Sequence, residues 1–225
     1  MESGFLIVNK PIGPTSHDIV NKIRRITGIK KVGHAGTLDP FAEGVLFLAV
    51  GRAATKRIAE VVKKDKEYIA DICLGSVTDT FDRTGKTIEK KETTRMPSKK
   101  QIEEVLKRFV GEQEQVPPMY SAKKIKGRKL YQLARLGQEI PRDPNWINVF
   151  SIELLGFDFP VLKIRVKCSP GTYLRVLAFD IGRFVGTGAH LQDLKRTAVG
   201  SYTIDQALDL DSIKKDNWKE FLFDI

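Results

Sequence analysis

Apolar and polar positions along this 225-residue chain fall into blocks whose periods predict its elements. "GFLIVNKP", residues 4–11, is a continuous apolar run closed by proline and predicts a buried strand. "TSHDIVNKIRRITG", 15–28, predicts a helix: Thr15 and Asp18 fit a capping box, Ile19, Ile23 and Ile26 share a face, and Gly28 stops it. "GVLFLAVG" (44–51) reads as a second buried strand, "ATKRIAEVVKK" (54–64) as a helical stretch and "KEYIADICLG" (66–75) as another strand. Residues 75–97 are polar and read as loops around a short strand. "SKKQIEEVLKRFVG" (98–111) is a helix capped by Ser98 with a glycine stop. A proline-rich basic loop then runs into a short helix.

Residues 146–168 read as two strands. In the second, Leu162, Ile164, Val166 and Cys168 take one face and Lys163, Arg165 and Lys167 the other, so this sheet face is either solvated or pressed near phosphates. "TYLRVLAFDIGRFVG" (172–186) predicts a helix with Leu174, Leu177, Ala178, Ile181, Phe184 and Val185 on one stripe. "LQDLKRTAVGSYTI" (191–204) is a last strand before an acidic, amphipathic tail. Strands and helices mix without strict alternation, and neither a repeat nor a flexible linker is visible. This pattern predicts an α+β fold around a mixed, mostly antiparallel central sheet flanked by helices and loops. The length suits a single domain with a sizeable core.

Composition narrows the classes. The hydrophobic share of 41% is ordinary for a soluble protein, and no run approaches the ~20 apolar residues that span a bilayer. "MESGFLIVNKP" lacks the basic start and small-residue cleavage site of a secretion signal. Cys73 and Cys168 both fall in apolar, strand-like segments, which predicts two buried thiols in a cytoplasmic protein. The net charge of +10 is gathered in clusters: Lys22, Arg24, Arg25, Lys30 and Lys31; Lys63, Lys64 and Lys66; Lys123, Lys124, Lys126, Arg128 and Lys129. Such clusters suit a polyanion such as nucleic acid, or a well-solvated surface.

Cofactor chemistry finds no support in the sequence. His17, His34 and His190 have no metal-ligand spacing with a cysteine or carboxylate. Neither a phosphate-binding P-loop nor a dinucleotide fingerprint occurs, and no nucleophile elbow supports a serine triad. What remains is an enzyme without cofactor, or a binder. "GHAG" (33–36), preceded by Lys30-Lys31, fits the G-x-x-G loop of a KH module, but that loop needs a helix directly after it and here a strand-like run follows. Asp39, in "GHAGTLDPFAEGVL" (33–46), has the form of a turn aspartate before proline. Its apolar, glycine-rich neighbours instead suggest a carboxylate held close to a ligand, where burial calls for a partner, most naturally an arginine.

Together with "GRAATK", that segment resembles the catalytic motif of the TruB family of tRNA pseudouridine synthases. Other segments resemble the family's motifs in the same order: "VNKPIGPTSHDIVNKIRR", "KEYIADICLGSVTDTFDRTG", "QVPPMYSAKKIKGRKLYQLAR", "VKCSPGTYLRVLAFDIG" and "GAHLQDLKRTAVGSY". The resemblance spans roughly residues 4–203. It implies a pseudouridine synthase fold and an isomerase that flips uridine 55 out of the T-arm of tRNA, detaches the base and rejoins it through carbon, with no cofactor or metal. By resemblance Asp39 is the essential aspartate, as nucleophile or base; Arg175 is its partner; Tyr68 stacks on the flipped base. Tyr173, Leu194 and His34 line the base pocket, and Lys10, with Pro11, supports its floor. Residues 117–142 match an RNA-gripping insertion carrying Lys123, Lys124, Lys126, Arg128 and Lys129.

That insertion implies a stand-alone, bacterial-type enzyme without an obligatory protein partner, whereas archaeal and eukaryotic relatives work in a guide-RNA particle; a monomer is the default expectation, which the sequence does not itself give. The chain ends about 20 residues after the last motif, so a separate C-terminal PUA domain is not expected. The competing reading is a non-catalytic RNA binder or tRNA-folding helper that uses the same basic surface.

Overall fold

The computed structural model describes residues 2–91, 96–121, 123–125 and 127–225, with the backbone alone at 124 and 129. The chain forms two compact units, one of residues 1–68 and 194–225, the other of residues 69–193.

The first unit begins with β1 (Gly4–Lys10), α1 (Ser16–Thr27), β2 (Val32–Ala35), β3 (Glu43–Val50), α2 (Gly51–Lys56) and α3 (Ile58–Val62), and the chain leaves it along β4 (Lys66–Leu74). β1 and β3 pair antiparallel, with Leu6 opposite Leu48, Ile7 opposite Phe47 and Val8 opposite Leu46. Alternate residues feed two cores. Leu6, Val8, Leu46, Leu48 and Val50 pack with Ile19, Val20 and Ile23 of α1, while Phe5, Ile7, Val45, Phe47 and Ala49 pack with Ala54, Val61 and Val199. Both faces are covered, which is why these strands read as continuous apolar runs. The capping box at α1 forms as expected: Asp18 N–H donates to Thr15 Oγ1 at 3.1 Å, and Thr15 N–H to Asp18 Oδ2 at 2.9 Å.

One helical stretch was expected over 54–64. The chain instead breaks at Arg57 (φ −93°, ψ 2°), dividing α2 from α3, and the Arg57 side chain pairs with Glu60 and Asp224.

The second unit contains the remainder of β4, then β5 (Ser76–Thr78), β6 (Thr87–Lys90), α4 (Lys99–Lys107), β7 (Gly111–Gln115), β8 (Lys124–Ile125), β9 (Arg128–Lys129), α5 (Leu130–Arg135), β10 (Asn145–Asp158), β11 (Val161–Cys168) and α6 (Leu174–Val185). Its strands run in the order β4-β11-β10-β7, and β5-β6 and β8-β9 form two small antiparallel ladders. The alternation of β11 holds: Leu162, Ile164, Val166 and Cys168 are at most 1% exposed. Its basic face meets carboxylates, with Lys163 3.5 Å from Asp71 and Arg165 2.5 Å from Glu153.

Two expectations need correction here. Phe184 is 59% exposed and touches Phe109 edge-on rather than joining the buried stripe of α6, because it sits on the last turn where the stripe has rotated off the core. Cys168 is buried, but Cys73 is only half-buried, since it occupies the outward-facing register of β4.

The chain returns to the first unit along β12 (Ala189–Val199), β13 (Tyr202–Thr203) and β14 (Leu208–Asp209), giving the order β14-β1-β3-β12 there. The β1–β14 and β3–β12 pairs are parallel; the other strand registers described are antiparallel. The tail lays Trp218 and Leu222 into the core, and Phe223 exchanges both backbone hydrogen bonds with Phe5. A large, mostly antiparallel sheet with six α-helices among the described residues matches the predicted mixed α+β class.

Candidate active site

Asp39 lies half-buried in the loop between β2 and β3, and three elements fasten this loop on both sides of it. Before Asp39, the Gly36 carbonyl accepts from Arg196 Nη2 at 3.0 Å. Leu38 is held through both backbone groups by Ser16 Oγ of α1, at 2.9 and 3.0 Å. After it, the Pro40 carbonyl accepts from Gly13 N–H at 2.8 Å and from Lys10 Nζ at 3.5 Å. The Ala42 carbonyl accepts from Lys10 Nζ at 2.7 Å, and the Val45 carbonyl from Arg196 Nε at 2.7 Å. Arg196, 1% exposed, therefore clasps the two ends of the loop, and Lys10, 0% exposed, ties its centre.

Gly44 shows how close that clasp is. Its φ is +107°, and a Cβ there would lie 2.2 Å from the Arg196 carbonyl oxygen. Burying two cations is costly unless every donor finds an acceptor, and the loop's own carbonyls supply the acceptors. Burial pushes the Lys10 ammonium down to about 8, against a partial restoring effect of the Asp39 carboxylate; Arg196 lowers it further and Glu43 raises it. Lys10 and Asp39 are thus electrostatic neighbours. The structure thus places Lys10, expected from the sequence at the pocket floor, against the carbonyls of the aspartate loop.

The remaining candidates of the first unit are His34 on β2, opposite Leu48; Tyr68 on β4, 8% exposed; and Leu194 on β12, also 8% exposed.

In the second unit Arg175, the second residue of α6, is 4% exposed. Its Nη1 donates to the Thr80 carbonyl at 3.1 Å and lies 3.4 Å from Asp82 Oδ2, while Nη2 donates to the Tyr120 carbonyl at 2.6 Å. The other Asp82 oxygen accepts from Thr80 Oγ1 at 2.9 Å, Thr84 N–H at 2.9 Å and Thr84 Oγ1 at 2.5 Å. The loop carrying Asp82 closes so tightly that a Cβ at Gly85 would sit 2.3 Å from Thr80 Oγ1. Phe81, in the same loop, adopts a left-handed φ of 61° and stacks on Phe179 at 4.3 Å. The expected tyrosine at 173 is the N-cap of α6 and half-buried.

Of the expected cations in the insertion, Lys123 donates to Asn145 Oδ1 at 2.8 Å, and Arg128 is exposed on β9. Lys124 and Lys129 are placed by backbone only, on β8 and β9; Lys126 lies outside the described residues.

Sequence reasoning missed Ser16, Arg196 and Asp82. Arg196 stands in a polar-looking "LKRTAV", and nothing local marks its burial. Asp82 carried a weak signal, an aspartate between two threonines ahead of a glycine.

Two family models cover nearly all of the chain: the TruB family pseudouridylate synthase N-terminal domain matches residues 24–174, and the tRNA pseudouridylate synthase B C-terminal domain matches 175–223. The chain belongs to the TruB pseudouridylate synthase family. It is 46% identical over 98% of its length to tRNA pseudouridine synthase B of Desulfotalea psychrophila, covering 92% of that protein. It is 44% identical over 99% of its length to the protein of the same name from Clostridium novyi, covering 76% of it. Among solved structures it resembles a chain of a Cbf5–Nop10–Gar1 complex, with a TM-score of 0.74 and 30% identity over 97% of this chain and 56% of that one. Among the described residues no cluster of three histidine, cysteine or acidic side chains is placed to hold a metal. Nor is any helix there long and apolar enough to cross a membrane.

Proposed function

We propose that the protein isomerises uridine to pseudouridine in tRNA, at uridine 55 of the T-arm, after flipping the base out of its stack. Family membership supports the chemistry, and the relatives of known name are tRNA pseudouridine synthases. A related fold is found in an H/ACA RNP bound to a substrate RNA containing 2′-deoxyuridine, at 29% identity and a TM-score of 0.69. The observation that carries the reading is Asp39 itself. A turn aspartate needs no such bracing, whereas a carboxylate that attacks or deprotonates a flipped nucleotide must be held within a fraction of an ångström.

In this reading Asp39 acts as nucleophile or base, and Arg175 is its positive partner by the family resemblance. Tyr68 stacks on the base; Tyr173, Leu194 and His34 shape the pocket, and Lys10 holds the loop beneath it. The segment 117–142 grips the RNA backbone through Arg128 and its neighbouring lysines, so that base recognition and phosphate positioning are separate tasks. The enzyme works in the cytoplasm as a stand-alone monomer, as one catalytic domain carrying that insertion, with neither metal nor cofactor.

The test is tritium release from C5-labelled uridine in a T-arm stem-loop and in full-length tRNA, with wild type beside Asp39→Asn. Release by wild type alone, with RNA binding retained in the variant, is the expected outcome. Binding of both RNAs by wild type without release from either would instead favour an RNA-folding helper.

A further inference from the structure

The first turn of α6 carries Arg175, yet its N-cap residue, Tyr173, makes no side-chain capping bond. The N-cap residue itself is instead held by a side chain from another element. Gln115, the last residue of β7, is 6% exposed, and its amide reads both backbone groups of Tyr173. Its Oε1 accepts from Tyr173 N–H at 2.8 Å, and its Nε2 donates to the Tyr173 carbonyl at 3.1 Å. Five residues later in the same loop, the Tyr120 carbonyl accepts from Arg175 Nη2 at 2.6 Å. The segment from Gln115 to Tyr120 is thus tied to the start of α6 at both ends, through one side-chain amide and one guanidinium. Pro117 and Pro118 between the ties are buried and stiffen it. The same segment leads into the basic insertion.

We propose that Gln115 is a positioning residue for the reaction: it sets the first turn of α6 and thereby the direction of the Arg175 guanidinium, and it links that arginine to the root of the insertion. This rests on the reading that Arg175 serves the chemistry. An amide suits the task because it offers one donor and one acceptor at the spacing of a peptide group. A leucine of similar size leaves the Tyr173 N–H without its acceptor, while the Tyr173 carbonyl keeps the helix bonds from Val176 and Leu177 N–H, so the helix start shifts to pair the N–H elsewhere. A shift of about 1 Å at a reacting group costs on the order of 100-fold in rate.

The experiment compares wild type, Gln115→Leu and Gln115→Glu in single-turnover tritium release, RNA binding and amide hydrogen exchange. Gln115→Leu is expected to react roughly 10- to 100-fold more slowly, with its Kd for the stem-loop within about twofold of wild type. The Tyr173 amide should exchange faster in this variant, while amides of β11 are unchanged. Gln115→Glu keeps the acceptor for Tyr173 N–H but loses the donor. Its rate should fall between the two, and its deficit should narrow as pH is lowered, because a neutral carboxyl regains an O–H donor. A general loss of stability would instead speed exchange across β11 as well as at Tyr173. A folded Gln115→Leu with wild-type rate, or with unchanged Tyr173 exchange, would overturn the proposal. If wild type itself releases no tritium, the functional reading and the catalytic half of this proposal fall together, and the exchange data still decide whether Gln115 anchors α6.

Discussion

Two fully buried cations beneath a single half-buried carboxylate make the aspartate loop sensitive to protonation and to loss of either brace. Lys10 titrates at about 8 rather than 10.5, chiefly because burial disfavours its charge. Between those values the unfolded chain binds a proton that the folded chain does not, so this residue's contribution to stability rises with pH from about 8 to 10.5. Urea denaturation of wild type and Lys10→Met should therefore show wild type gaining up to about 3 kcal/mol on the variant across that window. A difference independent of pH would contradict it. Arg196→Met removes the donors to Gly36 and Val45 and should cost about 2–4 kcal/mol in the same assay. Asp82→Ala removes a buried carboxylate 3.4 Å from the Arg175 guanidinium and the acceptor of Thr80 and Thr84, at a cost of about 3–5 kcal/mol. Catalysis should suffer more than RNA binding in that variant, read by tritium release beside filter binding.

Elements here are specified at their ends as much as along their faces. Ser98 and Gln101 cap α4 reciprocally, and Ser98→Ala should lower stability by about 1 kcal/mol with little effect on activity. The parallel contact of β3 with β12 has less tolerance. Arg196 lies directly opposite Gly44, and a methyl group there meets its carbonyl oxygen. Gly44→Ala should disrupt this pairing, giving a loss of stability and of tritium release together, whereas Gly13→Ala, whose Cβ would meet open space, should carry only the backbone cost of its positive φ. Capping boxes, apolar runs and the alternation of β11 were legible because each is set by neighbours a few residues apart. The break at Arg57 was not: residues 54–64 keep a helical composition, and the interruption accompanies ties to Asp224 at the far end of the chain.

Taken over the whole chain, 38 basic against 28 acidic residues give the molecule its net charge of +10. Many cations near the sheets are matched locally, as Lys163, Arg165, Arg83 and Lys195 are by Asp71, Glu153, Asp193 and Glu43. Exposed Arg128 is a better candidate for an RNA phosphate. Arg128→Ala should weaken stem-loop binding and reduce the slope of log K against log salt concentration by about 1, with the single-turnover rate at saturating enzyme nearly unchanged. An unchanged slope would remove Arg128 from the RNA contact.

The sequence by itself determined the mixed fold class, the buried strands and the capped starts of α1 and α4, because periodicity and caps are local patterns, and it singled out Asp39, Tyr68 and Arg175 through the resemblance of its ordered motifs. Only the tertiary structure decided what holds those residues. Arg196 is 157 positions from Asp39, Asp82 is 93 from Arg175, and Gln115 is 58 from Tyr173. Their roles come from burial, which gives a cation no solvent and so commits it to carbonyl oxygens brought near by the fold. No local pattern distinguishes such an arginine or glutamine from one that faces water.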